Sequence, residues 1–141
     1  MNLEQINNLK LATMDTPELS LKNQKYLCKI VDVYDGDTVK SVFYFKDTLY
    51  RWNVRLCGIN TPEMRPSRNK EGRDKIIENA KKSRDYLKSI FEKSNNLVYI
   101  SCGGFDKYGR LLGTFFTSEN DNDFENSINQ NMITTGYALV Y

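Results

Sequence analysis

The chain has 141 residues, 40% of them apolar and 12% aromatic, with 20 Lys and Arg against 18 Asp and Glu and no histidine. Such a length and composition describe one ordinary globular domain with a single core, and exclude a disordered polymer or two independent cores. The missing histidine also removes the commonest general base and the commonest transition-metal ligand, so any metal chemistry must run on oxygen ligands.

Residues 1–24 are polar and Asn-rich, and read as an N-terminal extension in which Ile6, Leu9 and Leu11 allow one helical turn before Thr16-Pro17. Strand character begins at Tyr26, where Leu27, Lys29, Val31 and Val33 alternate with Cys28, Ile30, Asp32 and Tyr34. Asp35-Gly36 predicts a tight hairpin turn, with Asp37 just past it and a returning strand from Thr38 to Phe45. Lys46-Asp47-Thr48 turns again, and a third strand is expected from Leu49 to Ile59. Thr61-Pro62 ends it, because a residue before proline is held extended.

A basic loop from Met64 to Gly72 follows, and then Ile77, Ala80, Leu87, Ile90 and Phe91 recur at helical spacing through about Lys93. Asn95-Asn96 breaks the helix, Leu97–Cys102 reads as a fourth strand, and Gly103-Gly104 with the Asp106–Gly109 turn leads to a fifth, Leu111–Thr117. A short helix from about Ser127 to Thr135, closed by Gly136, precedes Tyr137–Tyr141. The order β-β-β-α-β-β-α predicts an α+β domain over residues 25–141, a five-stranded OB-type barrel with two to three helices packed on it.

Half of the basic residues lie between Arg65 and Lys93, whereas Glu119, Asp121, Asp123 and Glu125 form an acidic stretch. The asymmetry reads either as a face that attracts anions or as a solvated helix with ordinary charge pairs. Cys28, Cys57 and Cys102 sit in apolar strands without Cys-x-x-Cys spacing, and are expected to be buried thiols. The N-terminus has no apolar signal segment and no run is long enough to span a membrane, so an intracellular protein is expected and secretion is not.

Three short segments carry chemistry: Asp35-Gly36-Asp37-Thr38-Val39, Arg55-Leu56-Cys57-Gly58-Ile59-Asn60-Thr61-Pro62-Glu63, and Asp106-Lys107-Tyr108-Gly109-Arg110. Taken singly, each has a bland reading as a hairpin turn, a capped strand end or a solvent-facing arginine. Together they offer carboxylates, an amide oxygen and two guanidinium groups, the set that phosphate-ester hydrolysis needs. A hard cation wants oxygen ligands, a pentacovalent phosphorane wants planar bidentate donors, and an attacking water wants a carboxylate base.

From about Tyr26 to Tyr141 these segments resemble the staphylococcal nuclease (thermonuclease) family, which orders an Asp-Gly-Asp-Thr-Val hairpin, an arginine strand ending in Asp-Thr-Pro-Glu, and an Asp-Lys-Tyr-Gly-Arg turn. The resemblance implies a Ca²⁺-dependent endonuclease that hydrolyses phosphodiester bonds in DNA or RNA, single-stranded or weakly paired, leaves 3′-phosphates, and acts as a monomer. It implies that Asp37, Asn60 and the Thr61 backbone carbonyl hold the calcium, that Glu63 is the general base, and that Arg55 and Arg110 stabilise the transition state. Lys107 and Tyr108 then contact an adjacent phosphate and nucleotide. The sequence departs from the family at Asn60, where aspartate is usual, which removes one negative ligand and lowers the expected cation affinity. It also stops at Tyr141, where the family usually continues through further tyrosines and a closing helix, so either the sequence is trimmed there or the stacking wall is thinner. The alternative function is a non-catalytic nucleic-acid-binding barrel; retention of Glu63 with both arginines favours the enzyme, and Asn60 argues the other way.

Overall fold

The computed structural model describes all 141 residues. Helix α1 (Leu3–Leu11) opens the chain on a capping box, with the Asn2 side chain accepting from the Gln5 backbone N–H and the Gln5 side chain accepting from the Asn2 N–H. The helix buries none of its residues, and it runs for nine residues where the sequence promised a single turn. Its start signal was present as Asn-x-x-Gln, but its apolar residues are too few for a clear period. No helix of the chain is long and apolar enough to cross a membrane.

Five strands close a barrel in the order β1-β2-β3-β6-β5. They are β1 (Lys25–Asp35), β2 (Thr38–Phe45), β3 (Thr48–Leu56), β5 (Leu97–Phe105) and β6 (Leu111–Phe116); β3 and β6 run parallel and the other neighbours antiparallel. Alternation along these strands sends Cys28, Ile30, Val39, Phe43, Val54, Leu56, Val98, Ile100, Leu111 and Phe115 inward. Helix α2 (Arg73–Glu92) covers the barrel with Ala80, Leu87 and Phe91, and α3 (Ile128–Thr134) adds Ile128 and Met132. The family fold foreseen from the strand count is therefore present: an OB barrel carrying helices.

Several expected boundaries shift for physical reasons. The third strand ends at Leu56, because Gly58 takes a left-handed backbone (φ +74°), and Ile59–Asn60 forms a separate strand β4 that pairs with β7 (Leu139–Val140). Asp37 lies within the hairpin turn, since Asp35 pairs directly with Thr38. Strand β5 continues through Gly103-Gly104 to Phe105 by means of a bulge, where the sequence pointed to a turn. Helix α2 begins at Arg73, four residues before Ile77, and its N-cap Gly72, left-handed and without a side chain, leaves the helix no side-chain cap to announce it.

The acidic stretch is also resolved. Its backbone carbonyls, with the Asn122 side chain, wrap the Lys25 ammonium: Glu119 O accepts at 2.7 Å, Asp121 O at 2.6 Å and Asn122 Oδ1 at 3.0 Å. The lysine organises that loop together with two of its carboxylates, Asp121 accepting from Asp123 N–H and Asn126 Nδ2 and Asp123 from Glu125 N–H.

Asn129 holds the barrel to the segment that carries the site. Fully buried at the start of α3, its Nδ2 donates to Cys57 O (2.9 Å) and Gly113 O (3.0 Å), and its Oδ1 accepts from Phe115 N (3.0 Å). Asn129→Ala removes the side-chain partner of Cys57 O and Phe115 N and leaves Gly113 O with the Cys57 N–H alone, and is expected to lower unfolding stability by on the order of 3 kcal/mol in urea denaturation. A loss within measurement error would show that water takes over these bonds.

Candidate functional site

The site grows from the β1–β2 turn. No residue in it has a positive φ, so Gly36 is not there for a mirror-image turn. It is there because the turn presses on its neighbours: a Cβ at Gly36 would lie 2.7 Å from Thr61 Cγ2 and 2.8 Å from Ser83 Cβ. Gly36→Ala must push the turn off Thr61, with an expected loss of about 1–3 kcal/mol of stability and a displaced Asp37. Thermal unfolding with a crystal structure of the variant checks both.

This close approach carries Asp37 to the exit of β4. Buried, its carboxylate accepts from Thr61 N–H through Oδ2 at 2.9 Å and from Thr38 Oγ1 through Oδ1 at 3.1 Å, while Arg55 Nη2 lies 3.3 Å from Oδ2. Arg55 is more than a neighbour of this carboxylate. Its Nη1 donates to Leu56 O and Ile59 O, both at 3.0 Å, and its Nη2 donates to Asn60 Oδ1 at 3.3 Å. Three of its four terminal N–H groups thus find acceptors on the β3–β4 turn, and the Asp37 carboxylate faces the guanidinium as an ion pair. Asp37, Arg55, Asn60 and Thr61 are brought together as one polar cluster.

Asp35 joins it, although its place in the sequence points only to turn geometry. Burial first, and then the Asp37 carboxylate beside it, push the Asp35 carboxyl up to about 6, although the Asp37 N–H donated to Asp35 Oδ1 (3.0 Å) works the other way. The signal was in the repeated acid of Asp35-Gly36-Asp37, which sets two carboxyls against each other once the turn is buried.

Arg110 reaches the same region from the β5–β6 turn. Asp106 organises that turn by accepting from Tyr108 N–H and Arg110 N–H, both at 2.9 Å, and from Arg110 Nε at 2.8 Å. Burial raises the Asp106 carboxyl, but these donors and the guanidinium charge outweigh it and hold the group below its usual range. The terminal nitrogens of Arg110 are left without an acceptor in the protein, and its guanidinium lies 5.3 Å from the centre of the Tyr108 ring. Lys107 Nζ lies 5.2 Å from the same ring.

Arg55, Asn60, Lys107, Tyr108 and Arg110 line one open cavity of about 500 Å³, walled also by Cys57 and by Tyr141, whose ring lies 5.6 Å from the Arg55 guanidinium. Cys57 is half-buried at this wall, whereas Cys28 and Cys102 are buried as expected; all three are free thiols. Glu63 is not part of the lining: it is exposed, just beyond Pro62 on the way to α2, and forms no ion pair.

The donors suit a hard cation in kind though not in number. Asp35, Asp37 and Asn60 are oxygen donors, and the buried Thr61 Oγ1 has no partner in the protein. Against this, no three acidic, cysteine or histidine side chains converge in the structure, and Arg55 already neutralises part of the Asp37 charge. The cluster therefore fits a cation bound through few charges, with solvent or substrate oxygens completing its shell.

A closed OB barrel with two arginines and an aspartate hairpin at its mouth defines a class, and the sequence comparison names it. Residues 53–141 match the family described as staphylococcal nuclease homologue, and the chain belongs to that family. The match starts within β3, so the Asp37 hairpin lies before it. The chain is also similar to an uncharacterized protein of Methanocaldococcus jannaschii, 31% identical over 132 residues that cover 84% of this chain and 61% of that protein.

Proposed function

We infer that this protein is a nuclease that hydrolyses phosphodiester bonds in single-stranded or weakly paired DNA or RNA, with Ca²⁺ as cofactor. The observation that carries the reading is the convergence of Arg55 and Arg110, from separate turns, on one open cavity beside the Asp37 carboxylate. A phosphate entering the cavity meets the free terminal N–H pair of Arg110 and the edge of the Arg55 cluster. Planar guanidinium forks match phosphate oxygens and gain strength as charge builds on them. Lys107 offers a second, flexible positive charge to the next phosphate, and Tyr108 and Tyr141 offer ring faces to bases.

Asp37, Asn60 and the Thr61 carbonyl are the residues that would hold the calcium, with Asp35 behind them. When bound, the ion supplies Lewis acidity toward a phosphate oxygen and the attacking water. Glu63, exposed and unpaired, would be free to turn toward that water and take its proton as the water oxygen bonds to phosphorus; the P–O5′ bond on the far side then breaks, and the leaving 5′-oxygen takes a proton from solvent, to give a 3′-phosphate. Cleavage of a single-stranded oligonucleotide in Ca²⁺, in Mg²⁺ and in EDTA tests the whole reading: activity with Ca²⁺ that disappears in EDTA supports it, and no cleavage under any condition overturns it.

One observation favours the second reading, a barrel that binds nucleic acid without cutting it: Glu63 stands outside the cavity while Arg55 spends its donors on the protein. Asn60 bears on the choice. Asn60→Asp restores a negative ligand beside Asp37, and is expected to lower the Ca²⁺ concentration for half-maximal cleavage severalfold. An unchanged calcium titration would place Asn60 outside the cation's shell.

A further inference from the structure

A second cavity, of about 490 Å³, opens on the other side of Asn60. Its floor is Thr61 and Pro62, one wall is α2 with Asn79 and Lys82, and the opposite wall is the segment leading from α3 into β7, with Tyr137. Asn60 lines both this cavity and the one that holds the two arginines, so the two adjoin at the exit of β4 and lie along one track.

The track has the chemistry of a nucleic-acid strand on both sides of Asn60. Lys82 shares the single carboxylate of Glu78 with Lys75, at 3.3 Å and 3.5 Å, so the wall keeps a net positive charge. Asn79 presents an amide able to donate to a phosphate or to a base edge. The Tyr137 ring is stacked on Tyr86 at 4.3 Å, and Ser83 Oγ fixes its main chain by donating to Tyr137 O at 2.7 Å. A ring held from behind in this way is a rigid platform, since its ordering is already complete before a ligand arrives. The first cavity has the same three parts: a cation, a polar group and an aromatic wall.

We propose that the second cavity is a nucleotide subsite, in which Lys82 and Asn79 bind the phosphate and Tyr137 the base of the nucleotide on the opposite side of the scissile bond from the one held by Lys107 and Tyr108. The assignment rests on the nucleic-acid reading of the arginine cavity, and it adds that the protein grips a strand at both flanks of the cut. It therefore acts within a strand and binds strands that fill both cavities better than strands that fill one. Lys82, Asn79 and Tyr137 are binding and positioning residues, with no part in bond breaking.

The test is binding of fluorescent single-stranded oligonucleotides of two to ten nucleotides, in EDTA, by anisotropy. The wild type is expected to bind more tightly as length grows until both cavities are filled. Lys82→Glu and Asn79→Ala should lose that gain, on the order of tenfold for the longer strands, and match the wild type on the shortest. Lys81→Glu, an equally exposed charge reversal on α2, should leave the length dependence in place, and Arg110→Ala should weaken binding at every length. Wild-type length dependence in Lys82→Glu and Asn79→Ala overturns the subsite while leaving the arginine cavity intact. Equal losses in Lys81→Glu and Lys82→Glu would reduce it to a general surface charge and overturn it as well. A wild type that binds no strand of any length overturns both.

Discussion

Arg110→Lys is expected to lower the cleavage rate on a single-stranded oligonucleotide by on the order of a hundredfold with no change in the unfolding transition. The charge survives the substitution, but the planar fork does not, and one preorganised donor removed from a developing oxyanion typically has an effect of this size. Stability should hold because the guanidinium is tied only to Asp106 within its own turn. Arg55→Lys should behave differently. It removes the cluster that joins Leu56 O, Ile59 O, Asn60 and Asp37, so the unfolding midpoint should fall together with the rate. Steady-state kinetics beside urea denaturation separates the two. An Arg110→Lys variant with near-wild-type rate would remove Arg110 from the reacting phosphate, and an Arg55→Lys variant of full stability would show that its carbonyl bonds are dispensable.

Glu63→Gln is expected to abolish at least two orders of magnitude of rate while strand affinity and stability stay at wild-type levels. The side chain is exposed and unpaired, so the amide disturbs no packing and frees no partner. Only the capacity to accept a proton is lost. Binding in EDTA and cleavage in Ca²⁺, measured on the same preparation, make the two effects independent. A variant that cleaves normally would sink the general-base role and leave the protein a base elsewhere; a variant that binds poorly would make Glu63 a substrate contact.

How far the sequence could carry this picture depended on the range of the interactions involved. The alternation from Leu27 to Tyr34, and the spacing of Ala80, Leu87 and Phe91, are short-range patterns, and they led to the right elements. The helix stop at Asn95-Asn96 was visible for the same reason: both take left-handed backbone angles that asparagine tolerates. Strands β4 and β7 were not visible, because two residues carry no period and pair only through the tertiary fold. Within the site, the linear motifs named Asp37, Arg55, Asn60, Thr61, Lys107, Tyr108 and Arg110 as neighbours, and the structure does draw these residues together. It does not bring Glu63 into the cavity. What no motif could state is how the donors are spent: that Arg55 gives two N–H groups to the main-chain carbonyls of Leu56 and Ile59, that Asp35 and Asp37 oppose one another, and that Asn129 holds the Cys57 main chain from helix α3.

The closure of the barrel sets how this protein comes into being. Strand β1 meets β5, and β3 meets β6, across stretches of chain that include the whole of α2. Loops of that length must be brought together before the pairing returns any free energy, so folding is expected to be slow for a domain of this size. Arg55 and Arg110 lie in opposite halves of the chain, and they acquire a common cavity only when that closure is complete. Half-folded chains therefore carry every motif and no groove, and an inactive, strand-free intermediate should persist until the last seam zips. In a stopped-flow refolding experiment, recovery of oligonucleotide binding should coincide with the final rise in Trp52 fluorescence rather than with the earlier appearance of helix.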